Sequence, residues 1–197
     1  MKKHEILDKL VNQNNGYLQT ADVVTLGISK TYLQDYVKKK NMERVAHGIY
    51  MSEDAWPDNL YLLSLRNKEI IFSHETALYL FSLTDREPTQ ISVTICAGYN
   101  ASHLRKKAIK VYTVKEDIFN LGKTTSKTVF GNTVTTYDRE RSICDIIKHK
   151  DKIEIQMFST AMNEYMRCRE KNLRNLLRYA SALGIEAAVR TYTEVML

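Results

Sequence analysis

Glycine is scarce in this chain, with seven residues in 197, and proline scarcer still, with two. So few glycines leave little material for a phosphate-cradling loop, and no Gly-x-x-x-x-Gly-Lys stretch occurs. The His74-Glu75 pair is followed by Leu at position 78, where a metalloprotease helix needs a second histidine. Cys96, Cys144 and Cys168 are odd in number and widely spaced, which argues against a disulfide framework and a zinc cluster and leaves reduced packing residues. Cys144 and His149 stand five residues apart and diverge around a helix axis, so they form no nucleophile pair. No run approaches the roughly 18 apolar residues of a membrane span, and the first residues lack the apolar core of a signal peptide. Internal repeats and low-complexity tracts are absent. These absences lead us to expect a soluble, cytoplasmic protein without catalytic activity, metal or cofactor.

The chain does carry positive charge. Its net charge of +6 and pI near 9.1 favour a polyanionic or acidic partner. The first fifty residues suggest which. Residues 4–13 place Ile6, Leu7, Leu10 and Val11 at helical spacing, with Gly16 as a stop. Thr20 offers an N-cap hydroxyl to a short helix holding Ala21, Val23, Val24 and Leu26, and Gly27 permits a tight inter-helix turn. Ser29 caps the next helix, which buries Ile28, Leu33, Tyr36 and Val37. Residues 42–46 and 49–51 flank His47-Gly48, a pair suited to a two-residue hairpin. This pattern predicts a winged helix-turn-helix over residues 1–55 that binds double-stranded DNA. Ser29, Lys30, Thr31 and Gln34 are expected near base edges or nearby phosphates, Lys38, Lys39 and Arg44 on the backbone phosphates, and His47 at the wing tip. The bland alternative is a protein-docking module with a solvated basic helix; Asp35 is the sole carboxylate on that helix.

Residues 52–59 interrupt both periodicities, with Pro57 barring a continuous element, and mark the expected domain boundary. A second, α+β domain is expected over 58–197. Helices are predicted from Leu60 and from a Ser73 cap, a half-buried strand over 91–96, and strands over 110–114 and 128–136, the last with a Gly131-Asn132 turn. Helices follow over 142–148, 155–168, 172–182 and 185–196, with Gly184 as a stop.

Four segments in this order, Gly16–Leu18, Arg44–Tyr50, Ser73–Leu80 and Asp138–Asp145, give the chain a resemblance to the AbiEi-type antitoxins, the repressor half of abortive-infection toxin-antitoxin operons. The resemblance spans nearly the whole chain. It implies an N-terminal winged helix that binds inverted repeats in its own promoter, and a C-terminal antitoxin domain that counteracts a nucleotidyltransferase-like toxin. Neutralisation in that family is described without a firm, stable complex. The rival is a winged-helix transcription factor whose second domain senses a small molecule.

Two basic regions of the second domain are candidate antitoxin surfaces. Arg105, Lys106 and Lys107 lie in a stretch rich in lysine between residues 103 and 127. Lys171, Arg174 and Arg178 stand three and four apart and would share one helix face. In the 138–145 segment the favoured reading is structural: Asp138 or Ser142 caps the helix, with Asp145 at a capping-box-like spacing from Ser142, and the alternative is a charge-paired site of Asp145 with Arg139 or Arg141. No sustained heptad occurs, so a monomer is expected that binds two half-sites.

Overall fold

The computed structural model of the chain describes residues 2–196 and is an α+β protein. It divides into two compact units, Met1–Leu62 with Phe130–Asn132, and Leu63–Val129 with Thr133–Leu197. Among the described residues no helix is long and apolar enough to cross a membrane.

The first unit begins with α1 (Lys3–Gln13), β1 (Tyr17–Gln19), α2 (Thr20–Thr25) and α3 (Lys30–Lys39), and ends its regular structure with the hairpin β2 (Glu43–Ala46) and β3 (Ile49–Met51). Ala46 faces Ile49 in the hairpin register, so His47-Gly48 is the two-residue loop that the sequence predicts. β3 is central in a three-stranded sheet, with β1 on its other side; no alternation signals a strand as short as β1. The core gathers Leu7, Leu18, Val23, Ile28, Leu33, Tyr36 and Met42. Ser29 caps α3, its Oγ accepting from the Tyr32 N–H at 3.3 Å. Thr20 does not cap α2: Gln19 holds the cap position, and the Thr20 N–H instead donates to the Gly48 carbonyl at 2.8 Å. With only six residues α2 presents a single position, Val23, to the core, which leaves Val24 and Leu26 exposed. The unit continues past the 52–59 segment. The Tyr17 hydroxyl donates to the Trp56 carbonyl and accepts from the Asp58 N–H, both at 2.9 Å. Asn132 donates to Asp58 at 2.8 Å and accepts from Asn15 at 2.9 Å.

α4 (Asn59–Arg66) carries the chain into the second unit. There β4 (Ile71–Phe72), α5 (His74–Leu80), β5 (Ser92–Cys96), α6 (Ser102–Arg105), β6 (Lys110–Val114), α7 (Glu116–Phe119), β7 (Lys123–Lys127) and β8 (Thr133–Tyr137) precede the helices α8 (Arg139–Lys148), α9 (Ile155–Arg167), α10 (Leu173–Ala182) and α11 (Glu186–Met196). The sheet order is β6-β5-β4-β8-β7, parallel at β5-β6 and β4-β8 and antiparallel elsewhere. β5 is buried on both faces rather than one. The β-branched run over 128–136 is the end of a hairpin: residues 128–132, which include the expected Gly131-Asn132 turn, form its loop, only Thr133 onward is strand, and β7 is the partner. β7 (KTTSK) is too polar to be read as a strand.

α8 organises the helical core. Its residues Ile143, Cys144, Ile146 and Ile147 pack with Leu78, Phe158, Met162, Tyr165, Leu176 and Val189, and Leu173 and Leu177 lean on the same cluster. Asp138 is the cap, its Oδ1 accepting from the Arg141 N–H at 2.8 Å, and Ser142 sits inside the helix. Burial pushes the Cys144 thiol upward, so it stays protonated packing material. Cys96, Cys144 and Cys168 are all free.

Candidate functional site

The face of α3 turned from the core carries Lys30, Thr31, Gln34, Lys38 and Lys39, all exposed, with Ser29 exposed at its start. Ammonium, hydroxyl and amide groups thus lie on one surface, flanked by Asp35. What holds this face still is a polar clamp from α1. Asp8 Oδ1 accepts from the Tyr36 hydroxyl at 2.8 Å and from Lys40 Nζ at 2.9 Å, while Oδ2 meets His4 Nδ1 at 2.8 Å. The Lys40 hydrogen bond, with those of Tyr36 and His4, holds the Asp8 carboxyl below its ordinary range. Lys40 is therefore spent on the fold, whereas Lys38 and Lys39 form no ion pair among the described residues. On the hairpin, Arg44 and His47 are exposed and joined: the Arg44 Nη2 donates to His47 Nδ1 at 3.0 Å. A guanidinium only donates, so this contact makes Nδ1 the acceptor.

The basic candidates of the second unit divide. Arg105, at the end of α6, and Lys106 and Lys107 beyond it are exposed. Arg174 and Arg178 are exposed four apart on α10. Lys171 does not share their helical face: the helix is capped by Asn172, so Lys171 precedes it, and its Nζ donates to the Cys168 carbonyl at 3.4 Å.

Sequence spacing did not reveal a buried polar cluster built on β4–α5, β5, β6 and α8. His74 is the first residue of α5, buried and at φ +49, a left-handed backbone uncommon outside glycine. Its Nδ1 lies 3.0 Å from Ser73 Oγ, and its Nε2 3.0 Å from His149 Nδ1. Its ring stacks on Tyr112 at 3.4 Å. Ser73 was expected to cap α5, but its hydroxyl accepts from Thr94 Oγ1 at 2.8 Å and makes no cap bond. Beside it Arg141 Nε donates to Asp145 Oδ1 at 3.0 Å, the pair being fully buried. Of the two arginines considered for Asp145, Arg141 is the partner, and Arg139 pairs with Glu170 at 3.0 Å.

Burial, with the charges of His149, Lys110 and Arg141 nearby, holds His74 well below its ordinary value of 6.5. The unfolded chain takes up this proton as pH falls through 6.5 and the folded chain does not. Stability tied to His74 is therefore whole above that pH and falls below it, by up to about 1.4 kcal/mol per pH unit. In urea unfolding between about pH 7 and 5, wild type is expected to lose ground against His74→Asn as pH drops. Parallel curves for the two proteins would refute this role of His74.

Among the described residues no group of three or more His, Cys, Asp or Glu side chains is placed to hold a metal ion. No protein-family model matches the chain, and no curated protein matches it. Among solved structures, the chain is similar in fold to the RV2827C protein from Mycobacterium tuberculosis, with a TM-score of 0.56 and 10% sequence identity over 89% of this chain and 70% of that one. At that identity the likeness is one of fold alone.

Proposed function

We propose that the first unit is a winged helix-turn-helix that binds double-stranded DNA, with α3 in the major groove and the β2–β3 hairpin as its wing. The observation that carries this is the exposed face of α3, where Lys30, Thr31, Gln34 and Lys38 combine base-reading and phosphate-binding groups, together with exposed Arg44 and His47 on the hairpin. The second unit then serves as the antitoxin domain of a self-repressing toxin-antitoxin pair, a reading supported by the four sequence segments shared with AbiEi-type antitoxins. Promoter DNA with inverted repeats and a nucleotidyltransferase-like toxin are the proposed partners.

Gel shift on the chain's own promoter tests the first half. Replacing Thr31, Gln34 and Lys38 together by Ala is expected to abolish the shift, and unchanged affinity would remove the assignment. Lys38→Ala alone is expected to weaken binding to all sequences and flatten the salt dependence by about one unit of slope, whereas Gln34→Ala costs about 1–3 kcal/mol on the operator only. Growth rescue on co-expression with the neighbouring gene tests the second half. Charge reversal at Arg174 and Arg178, in protein shown folded by circular dichroism, is expected to reduce rescue and spare the gel shift. Full rescue would return these arginines to a solvated surface.

A further inference from the structure

The second unit carries a cleft of about 210 Å³ lined by Glu75, Pro88, Thr89, Gln90, Lys110, Lys152, Glu154 and Met157. Its lining holds charges of both signs in a definite arrangement. Lys110 Nζ donates to Glu75 Oε1 at 2.7 Å and to the Lys152 carbonyl at 3.2 Å, and Glu75 Oε2 accepts from Ser92 Oγ at 2.8 Å. The Glu75 side chain is only 13% exposed, so this pair forms the inner end. At the outer end Glu154 takes both its contacts from Arg86 Nη1, at 2.9 and 2.8 Å. Glu154 is the N-cap residue of α9 yet makes no cap bond, so no side chain of its own satisfies the first N–H groups of that helix. The Lys152 ammonium has no ion-pair partner among the described residues. Met157, nearly buried, and Pro88 supply apolar wall.

Glu75 and Glu154 keep carboxylate lone pairs beside their cationic partners, and Lys152 adds an ammonium with no ion-pair partner among the described residues, so the lining offers acceptors for a donor end and a cation for an anionic end. A ligand that carries one charge of each sign meets complementary groups throughout. We propose that this cleft binds a small zwitterion of the α-amino acid class. Its carboxylate sets against the unpaired Lys152, its ammonium against the remaining lone pairs of Glu75 and Glu154, and its side chain against Met157 and Pro88. The volume falls below the ~300–1,000 Å³ of sites for drug-sized ligands, which suits a single amino acid over a nucleotide. The proposal is independent of DNA binding and toxin neutralisation, and neither stands or falls with it.

Calorimetric titration of the full chain with the common free L-amino acids tests it, alongside their N-acetyl and carboxamide forms, acetate and inorganic phosphate. At least one free amino acid is expected to bind at or below about 1 mM, and blocking either charged end to weaken it by about tenfold or more. Lys152→Glu, at an exposed position, should cause the same loss while leaving the melting temperature of ligand-free protein unchanged. Absence of binding by every free amino acid at about 10 mM would overturn the proposal. So would binding indifferent to Lys152→Glu, or phosphate or acetate binding as tightly as the amino acid.

Discussion

Arg141→Ala is expected to lower the stability of the second unit by about 3–5 kcal/mol, measured by urea unfolding. Arg141 is fully buried, and besides Asp145 its Nη1 donates to the carbonyls of Ile118 and Leu121 at 2.9 and 2.8 Å. Its guanidinium lies 4.2 Å from the centre of the Tyr137 ring. Truncation removes these contacts together and strands the Asp145 carboxylate in the interior. Burial already pushes the Asp145 carboxyl up, against the pull of Arg141, so without its partner the group is held neutral at higher pH still. Adding Asp145→Ala should therefore recover part of the loss, because an unpaired buried charge costs more than an absent one. A loss within about 0.5 kcal/mol for Arg141→Ala, the range of a surface change, would show that the pair contributes nothing to the fold.

Gly122→Ala is the second large effect, expected at about 2–4 kcal/mol. Gly122 sits at φ +76, and a Cβ there would lie 2.6 Å from Arg141 Cβ and 3.1 Å from Asp138 Oδ1. Its carbonyl also accepts the Asp138 N–H at 2.7 Å, so the backbone cannot withdraw without loosening the start of α8. Gly184→Ala provides the control: φ there is +69, but no atom lies within 4 Å of the added carbon. It should show only the left-handed backbone penalty of about 1–2 kcal/mol. Equal losses at the two positions would mean that contact with Arg141 and Asp138 plays no part.

The two effects fall on a part of the chain that sequence reading understood least. Where one face of an element is wet, the pattern was legible: α3 alternates Leu33 and Tyr36 with lysines at helical spacing, and its Ser29 cap and the His47-Gly48 loop lie where they were expected. α8 defeats that logic because Glu140 through Ile147 are all buried. No spacing names the distant partners that its charged groups meet: Glu140 accepts from the Tyr165 hydroxyl at 3.1 Å and the Asn172 N–H at 2.8 Å, and Arg141 donates to the carbonyls of Ile118 and Leu121. The same holds for His74, whose surroundings come from β5, β6 and α8. The cleft around Lys110 and Lys152 was invisible for a related reason: its residues span positions 75 to 157 and share no spacing. Lys171 shows the reverse error, a helical period extended across the Asn172 cap of a helix that begins at Leu173.

The membership of Phe130–Asn132 in the first unit has a consequence in time. A ribosome delivers the chain from its N-terminus at about 5–20 residues per second. The first unit is otherwise complete at Leu62, but the side chain that joins Asn15 to Asp58 belongs to Asn132 and arrives seventy residues later. For an interval of about 3–14 s the nascent unit must hold its three helices and hairpin with that link missing. Its birth as a finished body thus waits on the synthesis of the sheet of the second unit through β7.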